Sequence, residues 1–225
     1  MGRAKFSLFP AAAAIAALML GGCQKAETAR PRATVTLEQD PAQASEWRRI
    51  ASAEDIGRLE RIDAAWKEAL DEARRAGFSR QMTDEGPLLA PAGALPRAAP
   101  SPGSYRCRLI RIGSPRARVR AYRAFNPFFC HIGVEGELLS ITKQTGSERP
   151  GGYLWEAADA RLVFLGSMAL GNEDTPRAYG EDSSRDMAGV FERVADFRYR
   201  LVIPWPRGDS KLDVFELVPV VPEAR

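Results

Sequence analysis

Apolar residues are distributed along this chain in three regimes, and each regime predicts a different element. Between Phe6 and Leu20 they are nearly continuous. A run of about fifteen is too short to span a bilayer as a stable helix but suits the apolar core of a secretory leader. Residues 24–45 hold few large apolar side chains among Ala, Thr, Pro, Gln and Glu, which predicts a flexible tether. Beyond it, Ile56, Leu59, Ile62, Trp66, Leu70 and Ala73 recur at spacings of 3, 3, 4, 4 and 3, a single helical stripe. Ser52 stands three residues before Asp55 as a capping pair, Arg74 and Arg75 suit the negative end of a helix, and Gly77 can close it in the left-handed conformation. One amphipathic helix over 53–76 is predicted.

From 83 to 104 the chain carries Pro87, Pro91, Pro96, Pro100 and Pro102 among Ala and Gly, a composition that opposes helix and central strand alike and predicts a linker or wrapped loop. The remainder favours strands at 105–112, 118–124, 128–135, 138–142, 153–156, 162–170, 187–194, 197–204 and 211–218, with Gly, Pro, Asn or Asp in nearly every gap. Hairpin turns are expected at 134–138 and 158–160. Strands at this spacing, without intervening helices or an internal repeat, predict an α+β, mainly β fold. Its body is an antiparallel sheet of about eight strands, strongly curled or barrel-like, with one N-terminal amphipathic helix. The expected divisions are 1–22, 23–45, 46–82, 83–104 and 105–220.

Arg3 and Lys5 precede the apolar run, and Leu20-Gly21-Gly22-Cys23 ends it. This segment resembles a bacterial lipobox, which implies cleavage before Cys23 and attachment of lipid to its thiol. Two or three acyl chains, at about 0.8 kcal/mol per buried CH₂, would hold the protein on a membrane. Gln24 after the lipidated Cys points to the outer membrane, with the body facing the periplasm. Myristoylation at Gly2 would need Ser or Thr where Phe6 stands. Loss of Arg3 and Lys5 takes the net charge from +3 to +1, so global charge argues against a nucleic-acid partner. One His, and two Cys after the leader, exclude a multi-Cys/His zinc site, and no cofactor or metal is expected.

Cys107 and Cys130 are the only thiols of the mature body and each falls in a predicted strand, so a disulfide is expected; no Cys-x-x-Cys redox motif occurs. Ser140-Ile141-Thr142-Lys143 matches the Ser-x-x-Lys nucleophile pattern, but in a predicted strand rather than at a helix start, and without its companion motifs. His131 is the only imidazole available to a hydrolase, and a strand surface is its plainer setting. Glu181, Asp182 and Asp186 would supply paired carboxyls for glycoside chemistry, although neighbouring surface acids are far commoner. No catalytic residues are assigned.

Arg106, Arg108, Arg111, Arg116, Arg118, Arg120 and Arg123 lie within eighteen residues that contain no Asp or Glu. Arg106, Arg108, Arg111, Arg118 and Arg120 are the candidate contacts to an anionic surface such as lipid phosphate; the competing reading is a solvated sheet face paired with acids. The aromatic and proline clusters at 125–129 and 204–207 suit buried barrel closures or, if exposed, a ligand mouth.

Several segments together resemble a bacterial envelope family, domain of unknown function 4893. They are Tyr105-Arg106-Cys107-Arg108, Phe129-Cys130, the stretch from Lys143 through Gln144, Thr145, Gly146, Ser147, Glu148 and Arg149 to Pro150, Leu162-Val163-Phe164-Leu165-Gly166, Asp186-Met187-Ala188-Gly189, and Leu201-Val202-Ile203-Pro204-Trp205-Pro206 with Lys211-Leu212-Asp213. The resemblance spans roughly 47–219 and carries no activity. Within it, Lys143, Thr145, Ser147 and Arg149 either determine turns or line one polar site. The expected role is a membrane-anchored lipoprotein acting in non-catalytic binding or envelope maintenance, with an envelope protein or lipid as partner. Alternatives are a carrier holding a lipid or small apolar ligand in a half-barrel cavity, a lipocalin-like protease inhibitor, and a periplasmic hydrolase.

Overall fold

A computed structural model describes residues 43–220 apart from 115, 117, 118 and 159. Cys23, the leader and most of the tether therefore lie outside the described residues, as does Arg118.

Eight antiparallel strands close into a barrel: β1 (Gly103–Ile112), β3 (Phe128–Glu135), β4 (Leu138–Lys143), β5 (Glu148–Ala158), β6 (Arg161–Leu170), β7 (Asp186–Ala195), β8 (Arg198–Pro204) and β9 (Leu212–Pro219), which pairs back onto β1. Closure leaves no long unpaired edge. The short β2 (Tyr122–Ala124) joins the same edge of β1 as β3, with Ile110 opposite Ala124 and Cys107 opposite Phe128. The two are thus one strand line interrupted at Phe125-Asn126-Pro127, and β2 is shorter than the 118–124 expected. Coiling is tightest at β5–β6, where Gly152 faces Gly166: a Cβ on Gly152 would lie 2.3 Å from the Gly166 Cα.

Strand alternation divides the side chains between two cores. Tyr105, Cys107, Leu109, Ile132, Phe164, Phe191, Leu201, Phe215 and Leu217 fill the barrel interior. Cys107 and Cys130 are disulfide-bonded there, with their Cα atoms 5.9 Å apart. Ile110, Ile112, Val163, Leu165, Val190, Val202 and Val214 point outward and meet a helical layer through Trp47, Leu59, Trp66, Ala69 and Leu70.

That layer differs from the single helix expected. It consists of α1 (Gln43–Ile50), α2 (Ala53–Glu60), α3 (Ile62–Arg75) and α4 (Ser79–Asp84). The stripe over 53–76 is real, but the helix breaks at Arg61 (φ −102°, ψ 21°). A straight helix of that length would be about 36 Å long, too long to stay on a convex barrel wall, and the break lets both pieces follow the curve. Ser52 caps α2: its Oγ accepts from the Asp55 N–H at 3.1 Å. Gly77 (φ +89°) ends α3, with Phe78 N–H donating to Ala73 O and Gly77 N–H to Arg74 O, a Schellman closure. α1 begins inside the expected tether, because Trp47 is needed to cover β5.

The proline-rich segment wraps the barrel, and it contains a short 3-10 helix, Gly86–Leu89, where no helix was expected. Pro87 sits in its first turn, where a missing N–H is harmless. The anchor is Arg200, fully buried on the outer wall of β8. Its guanidinium donates to Leu88 O (3.0 Å), Ala90 O (2.7 Å) and Pro91 O (3.1 Å), pairs with Glu192 (2.6 Å) and lies over the Trp66 ring (5.0 Å).

Candidate functional site

The two ends of the barrel are unequal. At one end, β3–β4 and β7–β8 join through the two-residue turns 136–137 and 196–197. At the other, the connections are the β1–β2 loop 113–121, the β4–β5 loop 144–147, the β6–β7 loop 171–185 and the β8–β9 loop 205–211. Long loops on a rigid barrel make a mouth, the place where such folds usually bind.

The inward register reaches that mouth with a change of chemistry. On β1 the sequence Tyr105, Cys107, Leu109 ends inward at Arg111; on β9, Leu217 and Phe215 lead to Asp213, and Arg111 and Asp213 are register partners. Arg111 Nε stands 3.4 Å from Asp213 Oδ2 and its Nη2 3.4 Å from Glu148 Oε2, while its guanidinium lies 5.4 Å from the centroid of Phe125. Asp213 also accepts a short hydrogen bond from Ser210 Oγ. Burial pushes the Asp213 carboxyl up, against the pull of Arg111.

Above this pair lies an open cavity of about 210 Å³. Met168, Leu170, Met187, Ile203 and Pro206 give it an apolar side; Arg58, Arg111, Arg185 and Arg207 surround the rest, with Glu148, Asp186 and Asp213 as its acids. Each guanidinium comes from a different element. Arg58 of α2 is fixed by Asp55 and donates to Trp205 O at 3.1 Å, but its buried Nε has no partner. Arg185 is held by Glu173 (2.6 Å) and Asp182 (3.3 Å). Arg207 is exposed; Glu54 stands 3.8 Å from it, and Asp186 also attracts it. Asp186 accepts from the Gly180 N–H at 3.0 Å, and burial, with Asp55 adding to it, pushes its carboxyl up.

The β6–β7 loop forms one wall and is latched to the helical layer. Tyr179 OH donates to Asp55, and the Ser52 N–H donates to Tyr179 OH at 3.0 Å. Arg149, outward on β5, donates to Gly146 O (2.7 Å), Gly171 O (2.8 Å) and Glu173 O, tying two mouth loops together.

The expected polar site is consequently dispersed. Lys143 points into the barrel end, over Phe128 (4.5 Å) and bonded to Glu148 O (2.8 Å), and burial pulls its amine down. Arg149 is outside, whereas Thr145 and Ser147 are exposed in the loop. Alternation on the two paired strands separates Lys143 from Arg149: with Thr142 opposite Gly151, Lys143 ends β4 in the inward phase and Arg149 stands in the outward phase of β5. It also puts Ser140 and Lys143 on opposite faces of β4, which removes the Ser-x-x-Lys reading.

The arginines do not form one surface either. Arg106 is exposed on the outer wall; Arg108 is bound by Glu85 and Glu216, each at 2.6 Å; Arg111 enters the lumen; Arg120 is exposed in the β1–β2 loop. Glu85 and Glu216 are the acids that answer Arg108. His131 is exposed on the outer face of β3, opposite Ser104 and Thr142, makes no hydrogen bond to either, and lines none of the cavities described. Of the acids 181, 182 and 186, only Asp186 reaches the mouth cavity. The aromatic cluster splits: Phe128 packs inward on Phe215 (6.4 Å), while Phe125 and Phe129 are exposed.

Sequence reasoning missed Arg58, Arg185, Arg207, Glu148 and Asp213 as cavity residues. The signal available was a charge in the inward phase at each strand end, Arg111 after Leu109 and Asp213 before Phe215. It is blurred because the helices bury the outer wall, so both phases are apolar.

Among the described residues no helix is long and apolar enough to cross a membrane. No curated protein and no solved structure matches this chain. A family model described as domain of unknown function (DUF4893) matches residues 47–217, a span that takes in the helical layer, the clamped proline segment and the barrel almost to its last strand. The chain belongs to the DUF4893 family.

Proposed function

We propose that this protein is a lipid-anchored binding module of the bacterial envelope, held through Cys23, facing the periplasm from the outer membrane, and taking a small ligand at its barrel mouth. The observation that carries the binding reading is the inequality of the two ends: long loops and an open cavity of about 210 Å³ at one, tight turns at the other. The anchor rests on the leader pattern ending in Cys23-Gln24.

A carrier with its ligand deep in the barrel finds no support. Between Cys130, Ile141, Phe164, Leu201, Phe215 and Leu217 the lumen leaves only about 10 Å³, room for at most one water. Of the two spaces inside the barrel, the mouth is the one with room for a ligand, which would remain partly open to solvent.

Native mass spectrometry of the protein purified from its own envelope tests the binding reading. A reproducible bound mass is expected, and a bare protein overturns it. The anchor is tested separately by labelled palmitate: incorporation should disappear in Cys23→Ala, and an unlabelled parent protein would remove that part of the proposal.

A further inference from the structure

The mouth cavity combines three features that together specify a ligand. First, two of its cations are left for a ligand. Four guanidinium groups line it; Asp55 pairs with Arg58, and Glu173 and Asp182 pair with Arg185, which leaves Arg111 and Arg207. Second, its donors are under-used. Arg111 keeps both acidic partners at 3.4 Å, beyond the roughly 2.7–3.2 Å of a good N–H···O bond. Arg207 reaches Glu54 only at 3.8 Å and is attracted by Asp186 without closing an ion pair on it. Third, the opposite wall is apolar and adaptable, with Met168 and Met187 beside Leu170 and Ile203. Loosely held guanidinium donors facing thioether and alkyl surface are the complement of a molecule with an acid at one end and a short hydrocarbon at the other.

We infer that the mouth is an acid-binding site: Arg111 and Arg207 receive a carboxylate or phosphate monoester, and Met168, Leu170, Met187 and Ile203 receive a short apolar arm. This rests on the mouth-binding reading proposed above and names its ligand class. The size follows from volume. At about 30 Å³ per water-sized group, about 210 Å³ holds about seven such groups, enough for an acid with an arm of a few carbons and far too little for a diacyl lipid. Geometry favours the acid end lodging on the β1 and β8–β9 side, where Arg111 Nη2 stands 3.9 Å from where a Cβ on Gly208 would lie, next to Arg207, with the arm toward β6 and β7. Arg185 is spoken for by Glu173 and Asp182 and shapes the wall without receiving the ligand.

The test uses the full-length protein, purified from its envelope into zwitterionic nanodiscs, with calorimetric titration of hexanoate, hexyl phosphate, hexanol and hexylammonium. The two acids should bind, with affinity falling as salt rises, and the alcohol and amine should bind at least about tenfold more weakly. Arg207→Gln, at an exposed position, should weaken the acids by about tenfold and leave hexanol unchanged; Leu170→Glu, at the half-exposed edge of the apolar wall, should weaken the acids by repulsion more than it weakens hexanol, which loses only apolar contact. Phosphatidylglycerol nanodiscs identify the source: a lipid headgroup would compete with hexyl phosphate, whereas a free acid keeps its affinity. Equal binding of hexanol and hexanoate, or acid binding indifferent to Arg207→Gln, overturns the acid site and leaves the binding module standing. The same holds if no probe binds and the envelope-derived protein carries a mass with no acid group. A bound mass bearing an acid group supports the inference even without probe binding. Bare protein together with four silent probes overturns both.

Discussion

Arg200 has no exposed surface, and each of its guanidinium nitrogens has an acceptor, either Glu192 or carbonyl oxygens of the proline-rich segment. Desolvating such a group is costly, and it is offset here by a complete set of partners. Arg200→Met would leave Glu192 to Arg161 alone and strip the carbonyls of the segment of their donors, so a loss of about 2–4 kcal/mol is expected in urea unfolding. A loss under about 1 kcal/mol would show that the clamp is not what holds residues 86–91. Tyr105 supplies a second test at this scale. Its ring is buried, its OH donates to Ser101 O at 2.6 Å, and burial pushes its pKa from 10.0 up to about 12. A raised tyrosine pKa means the native state holds the neutral form. The associated stability is therefore fully present below pH 10.0 and lost as pH rises through about 12. Alkaline unfolding should begin in that window and shift upward in Tyr105→Phe, followed by circular dichroism with tyrosinate absorbance.

Among the elements, α2 is the one on which the site depends, since it carries both Arg58 and the Asp55 that receives Tyr179. Tyr179→Phe removes the latch while keeping the ring. Amide exchange in 171–185 should accelerate by about tenfold, with the interior strands unchanged. Unaltered exchange would mean that Glu173, Arg185 and Arg149 suffice to hold the loop. The helix also carries an avoidable weakness. Gly57 lies in α2 with no atom within 4 Å of where a Cβ would stand, so Gly57→Ala should stabilise by about 0.5–1 kcal/mol. A destabilised variant would indicate that α2 must flex.

At the scale of the whole molecule, two cores share one sheet. The barrel interior is filled, and its only covalent tie, the Cys107–Cys130 bond on adjacent strands β1 and β3, closes a separation of 23 residues. Cross-linking a loop of that size contributes on the order of 3 kcal/mol by restricting the unfolded chain. Reduction should therefore lower the urea midpoint without opening the barrel, checked by tryptophan fluorescence. A protein that unfolds outright on reduction would mean the packed interior is weaker than its burial implies. The outer core, between barrel wall and helices, brings α2 to the mouth and so gives the cavity its Arg58.

Much of this was written in local patterns. The strand punctuation located nearly every strand, the capping pair at Ser52 and the closing Gly77 marked where helix begins and ends, and two thiols on predicted strands implied their bond. Each of these depends on neighbours in sequence or on simple counting, so a linear reading captures them. The break at Arg61, the helix containing Trp47, the 3-10 turn at Pro87 and the mouth cavity were decided by the tertiary structure. A helix bends where the barrel wall beneath it curves, which no stripe records. Pro87 is tolerated in a turn because Arg200, more than a hundred residues away, collects the freed carbonyls. Lys143 and Arg149 looked like one site in sequence and separate because the register of the β4–β5 hairpin sends them to opposite faces of the sheet. Arg58, Arg111, Arg207 and Asp213 look unrelated in sequence and meet because closing a sheet brings its first and last strands together.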